Sequence, residues 1–242
     1  MKVLANDGVS QSGIDALTKA GIEVITTKVA QEQLVNYINE NNISVLLLRS
    51  ATTARKALID ACPGLKIIGR GGVGMDNIDV TYAREKGLSV INTPAASSSS
   101  VAELVFAHLF GGVRYLYDSN RNMPLDGDTK FKELKKNYAK GTELRGKTIG
   151  IIGLGAVGKE LAKKSSALGM KVLGFDLYKD EIFLSKYDEV AFVDSLDIIF
   201  EQADVISLHL PHTAKTENLI SREVIFNKLK RNPIIINTAR GM

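Results

Sequence analysis

Residues 147–162 read KTIGIIGLGAVGKELA, and the way this stretch divides decides the fold. KTIGIIG (147–153) is a largely apolar run of strand length, glycines fall at 153, 155 and 158, and an Ala- and Leu-rich segment from Ala156 to Leu168 has helical composition. Strand, glycine turn and helix in that order open a dinucleotide-binding βαβ unit, in which a G-x-G-x-x-G turn sets a pyrophosphate on a helix N-terminus. Gly153 allows the tight turn, Gly155 lets backbone amides approach the phosphates, and Gly158 lets the helix pack on the strand. Asp176 closes the next strand, KVLGFD (171–176), 23 residues after Gly153. A carboxylate there accepts hydrogen bonds from both ribose hydroxyls and repels a 2′-phosphate, which favours NAD over NADP; the nearby Lys179 weakens that preference.

Outward from this unit the alternation continues. Towards the C-terminus lie EVAFV (189–193), the helix DSLDIIFEQ (194–202), DVISLHL (204–210), REVIFNKL (222–229) and PIIINT (233–238), whose run Ile234 to Ile236 reads as a buried strand. On the N-terminal side KVLAN (2–6), EVITT (23–27), SVLLLRS (44–50), KIIGR (66–70) and LSVINT (88–93) alternate with helical segments, several closed by Gly or Asn. Repeated strand, helix, strand yields parallel sheets covered on both faces. The expected fold is α/β, with two doubly wound parallel-sheet domains: a flavodoxin-like substrate-binding domain over 1–97 and a Rossmann NAD-binding domain over 98–242. Between them Ser100-Val101-Ala102-Glu103 fits a capping box and starts a helix expected to reach about Tyr117. The polar, Lys-rich segment 118–146 shows little periodicity and reads as a solvated excursion or arm.

Composition bounds the partners. The chain has 242 residues, 45% of them hydrophobic, enough to bury a sizeable core. A net charge of +4 with no aromatics interleaved among the basic residues does not point to nucleic acid, and a small anionic ligand suits it equally. No run approaches the roughly 18 apolar residues of a membrane span, and MKVLANDG does not open a signal peptide. The lone Cys62 cannot form an internal disulfide, so a cytoplasmic location is expected, and with no His nearby in sequence a nucleophilic role is disfavoured.

Five ordered stretches carry a more specific resemblance: GRGGVGMDNID (69–79), INTP with SVAELV (91–94 and 100–105), KGTELRGKTIGIIGLGAVG (140–158), SLHLPHTAKTENLI (207–220) and INTARG (236–241). Together they resemble the D-isomer-specific 2-hydroxyacid dehydrogenases along nearly the whole chain. The resemblance implies that Ala156 and Val157 meet the pyrophosphate beside Gly153, Gly155 and Gly158. It implies Asp176 at the adenine ribose, His209, Leu210, Pro211 and Thr216 along the cofactor, Thr238 and Ala239 near the nicotinamide, and Val73 at both cofactor and substrate. Arg240 matches the family's catalytic arginine, whose planar fork binds a carboxylate and polarises the neighbouring carbonyl. The turn Gly71-Gly72-Val73-Gly74 offers amides to an anion. Arg49 and Arg70, at strand ends, could meet a phosphate, with Ser50 and Ala51 adding backbone donors. That pair favours oxidation of D-3-phosphoglycerate to 3-phosphohydroxypyruvate. The alternatives are a hydroxypyruvate or glyoxylate reductase and a non-catalytic NADH-sensing module. A homodimer formed through the NAD-binding domain is the family's usual state.

Oxidising an alcohol needs a base for the hydroxyl proton. In the family this is a histidine oriented by a glutamate, both beyond the arginine motif, and none of His108, His209 and His212 matches it. His108, inside AELVFAHLF, reads as packing. The expectation is a fragment of a longer protein, with little or no turnover.

Overall fold

The structure, a computed structural model, describes residues 1–240. The chain divides into two compact units, Met1–Ala96 and a second beginning at Ser97.

In the first unit strands β1 (Lys2–Ala5), β2 (Glu23–Ile25), β3 (Val45–Leu48), β4 (Ile67–Arg70) and β5 (Ser89–Asn92) alternate with helices α1 (Gln11–Lys19), α2 (Leu34–Glu40), α3 (Lys56–Ala61) and α4 (Val80–Glu85). The strands form one parallel sheet in the order β2-β1-β3-β4-β5. This is the doubly wound flavodoxin-type order, whose direction of winding reverses between β1 and β3. Near-continuous apolar strands bury Leu4, Leu46, Leu48 and Ile68 under Leu34, Ile38 and Leu58 of the flanking helices. Three helices end as their sequences suggest, with Gly21, Asn42 and Gly87 at positive φ just past the last turn.

The second unit opens with α5 (Ser98–Val113), α6 (Leu116–Asp126) and α7 (Phe131–Tyr138). There follow β6 (Thr148–Ile152), α8 (Ala156–Ala167), β7 (Lys171–Phe175), α9 (Glu181–Lys186), β8 (Val190–Phe192), α10 (Leu196–Gln202), β9 (Val205–Leu208), a short π-helical turn at Val224–Lys228, and β10 (Ile234–Asn237). The parallel sheet runs β10-β9-β6-β7-β8 and reverses between β6 and β9. With β6 as the first strand this is the 3-2-1-4-5 order of a dinucleotide-binding fold. Ile149 and Ile151 of the central strand are fully buried, each stabilising the unit by about 1.5–3 kcal/mol.

Four local expectations are corrected. Ser100 does not cap α5, which starts two residues earlier at Ser98. Ser99, not Ser100, bonds the Glu103 carboxylate at 3.1 Å, and Lys164 of α8 approaches the same carboxylate at 3.6 Å. The long helix stops at Val113, because Tyr115 takes a left-handed conformation with φ of 55° and starts a new helix. Segment 118–146 is not structureless: Tyr138 of α7 donates to Asp118 of α6 at 2.9 Å and packs its ring against Tyr115, so a polar hinge holds the pair together. Finally, Ile236 is buried but Ile234 and Ile235 are more than one-third exposed. Among the described residues β10 pairs only with β9, so it is an edge strand.

Candidate active site

The switch point of the second unit is built from the ends of β6 and β9. Gly153 turns at φ 101°, and a Cβ there would lie 2.7 Å from the His209 carbonyl oxygen, so the two strand ends close on each other only around glycine. A Cβ on Gly158 would fall 1.9 Å from the Gly153 carbonyl oxygen, which fixes how closely α8 sits on the turn. Gly155 differs. Its φ of −68° suits any residue, and a Cβ there would meet nothing within 4 Å. Nothing inside the protein requires glycine at 155, and the space beside it is open to a body that approaches from outside. No side chain caps the first amides of the 12-residue α8, which therefore face that space with the helix's partial positive charge. This fits a dinucleotide pyrophosphate.

Asp176, at the end of β7, accepts the Leu154 amide on Oδ2 at 2.7 Å and the Tyr178 amide on Oδ1 at 3.1 Å. The carboxylate is thus held beside the glycine turn with lone pairs to spare for two hydroxyls. Lys179 is engaged elsewhere, 2.9 Å from Glu181 and over the Phe192 ring, which lessens its pull on a 2′-phosphate.

Beyond β9 and β10 lies a pocket of 280 Å³. Leu210, Pro211, Thr216, Ala239 and Arg240 line it, joined by His212. Thr216 knots its rim, donating to the Pro211 carbonyl at 2.6 Å while accepting the Thr213 amide at 2.9 Å. Asn237 shapes the other wall: its Oδ1 accepts the Ala239 amide at 3.0 Å and its Nδ2 donates to the Arg240 carbonyl at 2.9 Å. Neither Thr238 nor His209 lines the pocket. The Thr238 hydroxyl is buried with no partner among the described residues. His209 is bonded to Ser207 at 2.8 Å, and burial lowers its pKa to about 4, so it is neutral near pH 7 and a poor proton acceptor. His108 is exposed on α5, not packed as its helical setting suggests. Gly241, the end of the INTARG stretch, lies outside the described residues.

In the first unit Arg49 and Arg70 come together. They sit at the ends of neighbouring strands, where Leu48 of β3 pairs with Arg70 of β4. Arg70 folds its guanidinium over Gly72, 2.6 Å from where a Cβ would be, and the Arg49 stem lies against Gly71 at 3.4 Å in the same sense. Among the described residues neither guanidinium has an ion-pair partner, and Arg70 Nε is buried and unpaired. Ser50, Ala51 and Val73 are exposed around them, and the Val73 carbonyl accepts Asn92 Nδ2 at 2.7 Å, which steadies the turn through Gly74. Asp7 and Asn77, which no local pattern singles out, bond the chain on either side of Arg49.

Cys62 is buried and its thiol pKa is raised by desolvation, which leaves it inert. Among the described residues no helix is long and apolar enough to cross a membrane, and no group of three or more His, Cys, Asp or Glu side chains could hold a metal ion.

Comparison with known proteins gives the family. A model of the NAD binding domain of D-isomer specific 2-hydroxyacid dehydrogenases matches residues 106–242. The hydroxypyruvate reductase of Thermotoga maritima is 41% identical over 241 residues, covering 99% of this chain and 74% of the relative. The D-3-phosphoglycerate dehydrogenase of Methanocaldococcus jannaschii is 38% identical over all of this chain, which spans only 44% of that enzyme's length. The apo structure of D-lactate dehydrogenase from Escherichia coli superposes on the whole chain and on 74% of its own length with a TM-score of 0.74 at 25% identity. Glycine turn, acidic strand end and arginine strand end thus occur in a chain that belongs to the D-isomer-specific 2-hydroxyacid dehydrogenases and carries that family's NAD-binding domain.

Proposed function

We propose that this chain serves NAD-dependent oxidation of D-3-phosphoglycerate to 3-phosphohydroxypyruvate. The observation that carries the choice of substrate is the gathering of Arg49 and Arg70, without ion-pair partners among the described residues, around Gly71 and Gly72. Two arginines at neighbouring strand ends suit a dianionic phosphate better than a neutral hydroxymethyl group. The relative from Methanocaldococcus jannaschii carries the corresponding name.

NAD, when bound, supplies the acceptor for the hydride that leaves the substrate's C2. The chain's own residues bind and orient. The open amides of Ala156 and Val157 at the start of α8 receive the diphosphate, and the Asp176 carboxylate takes the adenine ribose. Leu210, Pro211 and Thr216 shape the pocket wall along the cofactor. Asn237 fixes the backbone of Ala239 and Arg240, so the Arg240 guanidinium meets the substrate carboxylate with its reach already set. From there it stabilises charge growing on the C2 oxygen as that oxygen's proton passes to solvent water.

A second assignment, reduction of hydroxypyruvate, is favoured by the 41% identical relative of that name. Calorimetric titration of the NAD-saturated chain separates the two. The phosphoglycerate assignment expects 3-phosphoglycerate to bind at least ~10-fold more tightly than D-glycerate, a gap matching one charge-assisted hydrogen bond of about 1.5–3 kcal/mol. It also expects Arg49→Ala to close that gap. Equal affinities would reassign the substrate to an unphosphorylated acid. We further infer a cytoplasmic homodimer that associates through the NAD-binding unit.

A further inference from the structure

We propose that Asp7 and Asn77 are positioning residues that preset Arg49 for a phosphate, an inference that rests on the assignment of Arg49 to the substrate. The loop after β3, residues 49–53, carries Arg49, Ser50 and Ala51, and such a loop would ordinarily be mobile. Here its backbone is held by three side chains from distant parts of the chain. Asp7, just past β1, accepts the amides of Arg49 and Thr52 on Oδ2 at 2.6 and 3.0 Å, and the Thr52 hydroxyl on Oδ1 at 2.6 Å. Asn77 donates from Nδ2 to the carbonyls of Arg49 and Thr52, each at 2.6 Å. Gln31 accepts the Thr53 amide at 2.9 Å. Both peptide groups that flank the Arg49 Cα are therefore fixed, one by a carboxylate and one by an amide.

The location is where a doubly wound sheet places its ligands. Asp7 follows β1 and Arg49 follows β3, so their bond spans the point where the strand order reverses. The chemistry of position 7 is specific. Its Oδ2 takes both amides and its Oδ1 the Thr52 hydroxyl, which a carboxylate satisfies; a carboxamide that keeps its oxygen on the amides turns its NH₂ to the Thr52 oxygen, which Asn6 already donates to, and leaves the hydroxyl proton without its acceptor. Asp7 remains ionised near neutral pH. Burial raises its pKa, but the Thr52 hydroxyl and the amides of Arg49, Thr52 and Ala51 outweigh that and hold it below the usual carboxylate range. The negative charge lies close to an anion site, where it opposes phosphate binding by Coulomb repulsion. Its benefit to binding is therefore geometric: the ordering of Arg49 is completed during folding instead of on ligand binding. Asn6 supports the same knot, donating to Thr52 Oγ1 at 2.8 Å and to the Val29 carbonyl at 3.1 Å.

The test compares the affinities of 3-phosphoglycerate and D-glycerate for the NAD-saturated 242-residue chain, with NADH affinity and thermal unfolding measured alongside. Asp7→Asn is expected to lower the affinity ratio of the two acids at least fivefold while NADH affinity stays within twofold. Thr52→Ser, which keeps the hydroxyl, is expected to retain the ratio. A residue that only stabilises the fold would lower the melting temperature and leave the ratio alone, and that outcome overturns the proposal. If Asp7→Asn does not fold, Asn77→Ala reads the same ratio from the other side of Arg49, and an unchanged ratio in that folded variant overturns it equally. Arg49→Ala separates the layers. A ratio lost in Arg49→Ala but intact in Asp7→Asn refutes the positioning role alone, whereas a ratio intact in Arg49→Ala refutes the phosphate assignment and this inference with it.

Discussion

Gly155 and Gly158 stand three residues apart in one turn and are glycines for opposite reasons. A Cβ at 158 would lie 1.9 Å from the Gly153 carbonyl oxygen, whereas one at 155 would meet nothing within 4 Å. Gly158 answers to the protein's own packing. Gly155 answers to no contact within the protein, and we propose that it answers to the dinucleotide.

The two glycines therefore separate stability from binding. Gly158→Ala forces α8 away from the turn, an overpacking that costs about 1–3 kcal/mol, and a fall in melting temperature of several degrees is expected together with loss of NADH binding. Gly155→Ala is expected to melt within a degree or two of the parent, yet to bind NADH at least ~10-fold more weakly, since a methyl group now occupies the phosphate's approach. Thermal unfolding with NADH fluorescence titration reads both. A Gly155→Ala protein with parental NADH affinity would place the pyrophosphate elsewhere.

On the proposed cofactor site, Asp176 is expected to set the choice of nucleotide. Asp176→Asn removes the negative charge but keeps one acceptor for the Leu154 amide, so the fold persists while one charge-assisted contact to the ribose is lost. NADH affinity is expected to fall roughly 10-fold, in line with about 1.5 kcal/mol for such a contact, and the discrimination against NADPH to shrink. Adding Glu181→Gln releases Lys179 from its 2.9 Å partner and is expected to shift the preference further towards NADPH. Competition binding of the two nucleotides measures the ratio, and no movement in either variant would remove Asp176 from the ribose.

What the sequence discloses and what it conceals follow from range. The turn at 153–158 and Asp176 are readable because glycine spacing and a strand-end carboxylate are local chemistry. Alternating apolar strands and helices likewise determine two parallel sheets. The convergence of Arg49 and Arg70 is different: it exists only because Leu48 pairs with Arg70 across parallel strands. The bond from Asp7 to the Arg49 amide joins residues 42 apart, and no pattern of neighbours announces it. A helix start is hard to read from sequence where several serines compete for one cap, as at Ser97 to Ser100. The helix at 131–138 is hard to read because lysines crowd the stripe formed by Phe131, Leu134 and Tyr138, and the helix at 116–126 because Pro124 and its asparagines are poor helix formers. Ile234 and Ile235 mislead because apolar content alone does not say whether a strand lies at an edge.

His209 makes the second unit sensitive to acid. Burial holds its pKa at about 4 in the folded protein against 6.5 ordinarily, so the unfolded chain binds a proton between those values and the folded one does not. Its contribution to stability is complete above pH 6.5 and is lost progressively as pH falls towards 4. The total is about 3 kcal/mol, at 1.36 kcal/mol per pH unit. His209→Gln, which can still bond Ser207, is expected to flatten this part of the curve. Denaturant midpoints between pH 4 and 7 measure it, and parallel decline in both proteins would show that other groups govern the acid limb.

Association of the NAD-binding unit is testable at α6. Tyr117 and Leu125 are 72% and 78% exposed, and Leu116 and Phe131 are more than half exposed nearby, an apolar display beyond what an isolated surface helix needs. A second copy covering this face would bury it symmetrically. Leu125→Arg places a charge in the middle of that contact without touching the glycine turn or the pocket at Arg240. Sedimentation velocity is expected to give a dimer for the parent and a monomer for the variant, with NADH affinity unchanged within twofold. A monomeric parent at micromolar concentration would assign this face some other role, and a dimer that survives Leu125→Arg would move the interface off α6.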